Sequence, residues 1–291
     1  MILRCVFACG VLILGFATVA PAATPSRPLI VAGVSEWGIL ARQLVGHQAT
    51  VEILLTDPNA DPHEHEATVY DAGYVARASI VLENGAGYDT WLNKLVAVSQ
   101  PHVALINVGS LLGVRVGANP HLFYSPRAAI RFVAALRALL ARRDPSVHVA
   151  ARARALDTAL GAVSRRLAII KSRCHGVRVA ATEDVATRML TQAGLDVVTP
   201  ESLRLAVSNG VDPSISSLAT ALQQLQQRPA FLLNNVQTST PLTQTMVARA
   251  RGDGVALVNV TETMRGFSYV AFLSGVVNKI SRALVHEGCL A

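Results

Sequence analysis

Short apolar runs alternate with longer stretches of helical periodicity along nearly the whole chain. In the first half, aliphatic and β-branched residues form four runs of strand length, and segments rich in Ala and Leu separate most of them. This alternation is typical of a parallel sheet flanked by helices. The predicted strands are 29–33, 50–55, 79–83 and 102–108, and the predicted helices are 37–45, 68–77, 90–98 and 128–142.

A long segment without strand character interrupts the alternation in the middle of the chain. Between residues 145 and 171 the apolar residues approximate helical spacing, and the only glycine is Gly161. The pattern predicts one helix of about 25 residues, near 38 Å long at about 1.5 Å per residue. Such a helix can join two lobes, and a helix inside a single domain is the alternative.

The alternation of strand and helix resumes after this helix. The predicted strands are 177–182, 195–198, 230–235 and 255–260, and the predicted helices are 185–193, 214–227, 241–251 and 269–285. We therefore predict an α/β protein with two lobes, each a parallel sheet flanked by helices, joined by one long rigid helix. The predicted boundaries are 27–143 for the first lobe, 144–172 for the linking helix and 173–291 for the second lobe.

The chain begins with the pattern of a secretory signal peptide. Arg4 precedes an apolar run at 5–19, and the small residues at 20–22 form a cleavage-like site. The run is shorter than the roughly 20 residues of a membrane-spanning helix. We predict that residues 1–22 are removed and that the mature protein is periplasmic or otherwise extracytoplasmic. An uncleaved anchor and a lipid on Cys9 are the alternatives.

Removal of that segment leaves two cysteines, Cys174 and Cys289. An even number of cysteines in an exported protein predicts a disulfide between them. A bond that closes so long a loop would stabilise the fold by about 4–5 kcal/mol in the chain-entropy model. Two buried free thiols are the alternative.

The chain is basic, with a formal net charge of +7 at pH 7. This positive charge is scattered along the sequence and comes mostly from arginine. Nucleic-acid-binding proteins concentrate such charge on one face and carry a recognisable fold signature. We interpret the charge as an arginine-rich solvated surface, and we predict a monomer without a nucleic-acid partner.

Histidines and carboxylates follow several predicted strands, where parallel sheets present their functional loops. The candidates are His63 and His65 after 50–55, His121 after 102–108, Glu183 and Asp184 after 177–182, and Glu262 after 255–260. Two imidazoles from one lobe and two carboxylates from the other are therefore predicted to converge on a cleft. Imidazole nitrogen and carboxylate oxygen suit zinc, manganese or iron(II), whereas softer metals prefer sulfur ligands.

These segments resemble the zinc/manganese solute-binding proteins of metal ABC importers over about residues 29–286. The matching motifs are Asp61-Pro62-His63 with Glu66, Thr68 and Asp71; IVLENGAGYDTWL at 80–92; Asn119-Pro120-His121; VAATEDVATRMLTQAGLDV at 179–197; and NNVQTSTPLTQ with VNVTETM near the end. Members of that family share two α/β lobes, a long connecting helix and a buried metal bound from both lobes.

The resemblance implies a set of metal ligands. His63 and His121 match the family's imidazole ligands, and Glu183 matches the third ligand. Glu262 takes the place of the fourth, which is commonly an aspartate. His65 stands where many members have an aromatic residue, so it is a neighbour of the site, an alternative ligand or a solvated side chain. Asn235 replaces a glutamate found in many relatives.

The resemblance leaves the metal between manganese and zinc, with iron(II) also open. Zinc-specific relatives often have three histidine ligands and a histidine-rich loop. This chain has Glu183 and lacks such a loop, which favours manganese within the family. Nitrogen and oxygen ligands nevertheless bind zinc more tightly than manganese by the Irving–Williams order.

The function implied by the resemblance is capture of one divalent transition-metal ion between two lobes and its delivery to the permease of an ABC importer, without catalysis. One alternative is a metal-dependent hydrolase, suggested by the HEHE run at 63–66. The chain has no HExxH or GxSxG motif to support it. The other alternative is an adhesion or binding module with a structural metal, which would unfold without the metal.

Overall fold

The computed structural model describes residues 27–57, 60, 62–63, 65–99, 103–264, 266 and 268–290. The predicted signal peptide at 1–22 lies outside these ranges. Within them, every helix is too short or too polar to cross a membrane.

The first half of the chain forms one sheet of four parallel strands with helices around it. Its elements are β1 (Leu29–Val34), α1 (Ser35–Val45), β2 (Thr50–Leu55), α2 (Val69–Arg77), β3 (Ile80–Glu83), α3 (Thr90–Ala97), β4 (Ala104–Asn107), α4 (Val108–Leu112), a 3-10 turn (Leu122–Tyr124) and α5 (Pro126–Arg143). The strand order is β2-β1-β3-β4, and every pairing is parallel.

The second half repeats this topology in a second sheet. After the long helix α6 (Ala150–Arg173) its elements are β5 (Arg178–Ala181), α7 (Thr187–Gln192), β6 (Asp196–Val197), α8 (Glu201–Ser208), α9 (Ile215–Gln226), β7 (Phe231–Asn235), α10 (Pro241–Gly252), β8 (Ala256–Val260) and α11 (Tyr269–Val285). The order β6-β5-β7-β8 matches that of the first sheet. The predicted α/β class with two parallel sheets is confirmed.

Two helices were not predicted from the sequence. The helix α4 has 5 residues and α8 has 8 residues. Both are shorter than the window of about 11 residues over which helical periodicity can be recognised. Helical periodicity therefore gave no signal for these two helices, although α3 and α7, which are of similar length, lie within predicted helices.

The helix α6 carries a narrow apolar stripe along its 24 residues. Its buried positions are Ala153, Leu156, Leu160, Val163, Leu167 and Ile170, which alternate spacings of three and four. This spacing places them on one face, which packs against α5 and α11. The helix begins at Ala150, later than the predicted 145, because a turn at 144–149 separates it from α5.

A disulfide joins Cys174, at the end of α6, to Cys289, after the end of α11. The predicted pairing is confirmed. The bond spans 115 positions of the sequence. It therefore fastens the C-terminal segment to the end of the long helix.

One hydrophobic core continues through both halves of the molecule. Trp37 of α1 is fully buried, and its ring centroid lies 4.9 Å from that of Phe132 and 6.2 Å from that of Tyr269. The Tyr269 hydroxyl also donates a hydrogen bond to the carbonyl oxygen of Phe123. Because close-packed interiors resist rearrangement, this shared core opposes a wide separation of the halves.

A buried carboxylate lies where the halves meet. Glu36, in the first turn of α1, is 1% exposed, and its Oε1 accepts a hydrogen bond from the Met264 amide at 2.7 Å. Burial raises the pKa of Glu36 from 4.5 to about 7. The folded protein therefore keeps a proton on Glu36 at pH values where the unfolded chain has lost it.

We expect the variant Glu36→Gln to gain stability over the wild type as the pH rises from about 4.5 to about 7. Across this window the unfolded wild type releases the Glu36 proton while the folded state retains it, so its free energy of unfolding falls. The pKa difference corresponds to about 3 kcal/mol. Urea denaturation of both proteins at several pH values measures this difference. A gap between them that is independent of pH would contradict the prediction.

Candidate metal centre

The four predicted ligands lie on loops that follow strands of the two sheets. His63 is in the β2–α2 loop, and His121 lies between α4 and α5. Glu183 comes shortly after β5, and Glu262 comes shortly after β8. Each half therefore contributes two of them from the carboxyl ends of its strands, as parallel-sheet architecture favours.

His121 and Glu262 meet directly across the junction of the two halves. Nε2 of His121 lies 3.0 Å from Oε1 of Glu262. The His121 side chain is 1% exposed and that of Glu262 is 17% exposed. An imidazole from the first half and a carboxylate from the second are thus brought together in a nearly dry environment.

Tyr88 links this pair to His63. Its hydroxyl donates a hydrogen bond to Oε1 of Glu262 at 3.3 Å. Its ring lies edge-on to His63 at 5.0 Å and to His121 at 5.7 Å between centroids. Burial raises the pKa of Tyr88 well above 10, so it remains a neutral donor. Tyr88 lies in the motif at 80–92, but no signal in the sequence marks it as a site residue.

Glu183 is a buried carboxylate beside this pair. Its pKa is raised to about 7, because burial and the charge of Glu262 raise it by more than the charge of His121 lowers it. The Ser208 hydroxyl donates to Oε2 at 3.5 Å, and Oε1 is buried without a hydrogen-bond partner of normal geometry among the described residues. A carboxylate in this environment is stabilised by a nearby cation.

The pKa of Glu262 shows that the cluster is electrostatically connected. Burial acts to raise this pKa, but the hydrogen bond and charge of His121 lower it below its ordinary value. The charge of His63 and the hydrogen bond from Tyr88 act in the same direction. Glu262 therefore remains an anion among the groups that face it.

Asn119 orients the His121 ring and connects the halves. Its Oδ1 accepts the His121 backbone amide at 2.9 Å and lies 3.1 Å from ring Nδ1. The same oxygen can accept a hydrogen bond from Nδ1–H, with Nε2 directed at Glu262. Its Nδ2 donates to the Asp184 carbonyl and to the Thr187 hydroxyl, both at 2.9 Å.

His65 contacts Asp71 and Trp91 rather than the His121–Glu262 pair. Its Nε2 lies 3.2 Å from Oδ2 of Asp71, and its ring packs against Trp91 at 4.4 Å between centroids. The Asp71 carboxylate also accepts the Thr68 amide in a capping box at the start of α2. The structure thus places His65 at the beginning of α2.

Asn235 lies beside Glu183. It is 1% exposed, and its Nδ2 donates to the Thr238 hydroxyl at 2.9 Å. Hydrogen bonding by Asn235 and Thr238 lowers the pKa of Glu183 and so partly offsets the effect of burial. The amide that replaces the family's glutamate therefore avoids a further buried negative charge at this position.

The predicted ligands lie near one another, but they do not form a complete coordination shell among the described residues. Among the described residues, no group of three or more His, Cys, Asp or Glu side chains is arranged to hold a metal ion. His63 lines a cavity of about 200 Å³ together with Asp184 and Ser208. Asp61 and Glu64 lie outside the described part of the chain.

A family of known transport proteins matches this chain over most of its length. The family described as ZnuA, zinc-uptake complex component A, periplasmic, matches residues 30–283. The chain belongs to this family. The resemblance inferred from the motifs is thereby confirmed.

One known protein matches part of this chain in sequence, and solved structures of metal-binding proteins share its fold at low sequence identity. The iron-binding protein YfeA of Yersinia pestis is 29% identical over 114 residues, a match that spans 37% of this chain and 36% of that protein. The SBP FpvC of Pseudomonas aeruginosa, solved with Ni²⁺, has a TM-score of 0.73 and 22% identity over 90% of this chain and 98% of that chain. The periplasmic zinc-binding protein TroA of Treponema pallidum has a TM-score of 0.71 and 16% identity over 89% of this chain and 99% of that chain.

Proposed function

We propose that this protein is an extracytoplasmic receptor that binds one divalent transition-metal ion between its two halves and delivers it to the permease of an ABC importer. The observation that carries the proposal is the contact between His121 and Glu262, which come from opposite halves. Membership of the zinc-uptake family supports it. The signal-peptide pattern at 1–22 supports export, and the role is binding and transfer rather than catalysis.

The proposed ligands are His63, His121, Glu183 and Glu262. Nε2 of His121 and Oε1 of Glu262 lie 3.0 Å apart, within hydrogen-bond distance, and an ion bound to both atoms would replace this contact. Glu183 contributes a carboxylate whose Oε1 is buried without a hydrogen-bond partner of normal geometry. Two carboxylates together balance the charge of a divalent cation.

Metal binding requires local movement, because no three of these side chains are arranged to hold an ion in the described structure. The loop with Glu262 is anchored on both sides: the Tyr124 hydroxyl donates to the Thr261 carbonyl at 2.6 Å, and Met264 binds Glu36. Together with the shared core, these anchors favour rearrangement of side chains and loop ends over a wide hinge closure.

The ion is proposed to be manganese or zinc. Imidazole and carboxylate ligands suit both, and they also suit iron(II). The two carboxylates among the four ligands favour manganese, while the general order of affinities favours zinc. Competition among the three ions on one protein preparation ranks them directly.

Metal-free protein is expected to stay folded and to become more stable when the ion is added. At a free-metal concentration about 1,000 times the Kd, binding adds about 4 kcal/mol to the free energy of unfolding. For a protein of this size that corresponds to a rise of about 8–16 °C in Tm. Elemental analysis and thermal unfolding before and after chelation measure stoichiometry and stabilisation.

Two outcomes would contradict the proposed receptor. Unfolding on removal of the metal would indicate a structural metal site instead, because structural sites supply folding free energy. A protein that binds none of the three ions, with an unchanged Tm in their presence, would exclude metal capture. One ion per chain bound reversibly by a persistent fold supports the proposal.

A further inference from the structure

A second cavity lies beside the candidate metal centre and is not used by the proposed metal binding. It has a volume of about 530 Å³ and is lined by residues of α5 on one side and of α7 and α8 on the other. Asn119 and Asp184, neighbours of His121 and Glu183 in the chain, also line it. Small-molecule sites typically have volumes of about 300–1,000 Å³.

The charges that line this cavity are predominantly positive. Four arginines contribute, namely Arg127, Arg131, Arg188 and Arg204, against the two carboxylates of Asp184 and Glu201. Arg204 is committed to a salt bridge with Asp184. With four arginines against two carboxylates, part of the basic charge that is scattered along the sequence forms a local positive cluster here.

One basic position of this cluster is Arg188 of α7. It is half-buried, and its Nε and Nη2 both donate to the Asn119 carbonyl, with Nε at 3.0 Å. No described carboxylate oxygen lies within 4.0 Å of it. Burial lowers its pKa from the ordinary value, which shows that its charge is partly desolvated. A guanidinium carries five N–H donors, so donors remain for an anion.

A second basic position lies on α5. Arg127 and Arg131 are exposed, are one helical turn apart and line the same cavity. The described residues form no ion pair with either of them. The apolar side chains of Leu112, Val114 and Leu122 also line the cavity. The cavity thus offers two cationic positions, on opposite halves of the molecule, and an apolar surface.

We propose that this cavity binds a small organic acid with two carboxylates on a short carbon chain. Arg127 and Arg131 hold one carboxylate, and Arg188 holds the other, because guanidinium groups bind carboxylates through paired N–H donors. The carbon chain lies against the apolar wall. A single inorganic anion is much smaller than the cavity and reaches only one of the two positions.

The test is calorimetric titration of succinate into the metal-free full chain at low salt, which separates this site from metal binding. We expect a Kd below about 1 mM. The variant Arg127→Gln with Arg131→Gln should weaken binding by at least about 10-fold through lost ion pairing. The matched control is Arg137→Gln, an exposed arginine of the same helix that does not line the cavity. Its affinity and all apo Tm values should be unchanged.

Two further probes test the chemistry of the ligand. Butyrate, which has one carboxylate, should bind at least about 10-fold more weakly than succinate because it reaches one cationic position. Inorganic phosphate that binds as tightly as succinate would overturn the dicarboxylate assignment. Absence of succinate binding up to about 10 mM, or an equal loss in the Arg137→Gln control, would overturn the site itself.

Discussion

Replacing His121 with alanine is expected to lower the affinity for manganese and zinc by at least about 100-fold. Removal of groups that merely orient a metal ligand already costs about 10–100-fold, and His121 is proposed as a ligand itself. Its buried Nε2, 3.0 Å from Glu262, cannot be replaced by solvent at a site that is 1% exposed. Competition with a chelating dye measures the affinity of the metal-free variant and wild type.

The matched control for this experiment is His47→Ala. His47 is exposed in the turn after α1, outside the candidate centre, and its removal should leave the affinity unchanged. Because loss of His121 also leaves Glu262 with one partner fewer, the apo Tm of each variant is measured in parallel. Wild-type affinity in a folded His121→Ala protein would exclude His121 as a ligand.

Removal of the disulfide is expected to lower the free energy of unfolding by about 4–5 kcal/mol, because the bond restricts a long loop of the unfolded chain. The bond joins positions 115 apart in the sequence. Thermal unfolding of the Cys174→Ser, Cys289→Ser double variant should show a fall of about 8–20 °C in Tm. Reductant should reproduce this fall in the wild type and have no effect on the variant.

Metal affinity should survive removal of the disulfide. The helix α11 has 17 residues and is therefore about 25 Å long; it begins shortly after Glu262 in the chain, and Cys289 follows its other end. The expected change in metal affinity is therefore less than about 3-fold, because changes at distant sites usually act independently of each other. An unchanged Tm would contradict the expected stabilisation by the disulfide. A large loss of metal binding without unfolding would contradict the expected independence of the metal site from the disulfide.

The fold was largely predictable because its signals are local. Seven of the eight strands coincide with β-branched or aliphatic runs that the pattern analysis placed correctly, and the short β6 also falls in a predicted strand. The stripe from Ala153 to Ile170 identified the long helix. The helices α4 and α8 were not predicted, because segments of 5 and 8 residues are too short for a reliable helical period.

The candidate site was predictable as a set of residues but not as a geometry. Strand ends and motif resemblance named His121 and Glu262, which the structure brings within 3.0 Å. The role of His65 could not be decided from these signals, and the structure pairs this side chain with Asp71. Tyr88 was missed because its role depends on contact with Glu262, 174 positions away in the sequence. Assignment of the four ligands stays a prediction that the His121 variant tests.

The sequence by itself indicated the strands, most of the helices, two cysteines able to form a disulfide, the export pattern and the residue types able to bind a metal. These follow from periodicity, spacing and side-chain chemistry, all of which are local properties. The tertiary structure alone decided which groups share an environment. The raised pKa of Glu36 and Glu183 and the basic cavity around Arg188 arise from burial by distant residues, because desolvation depends on three-dimensional packing rather than on neighbours in the chain.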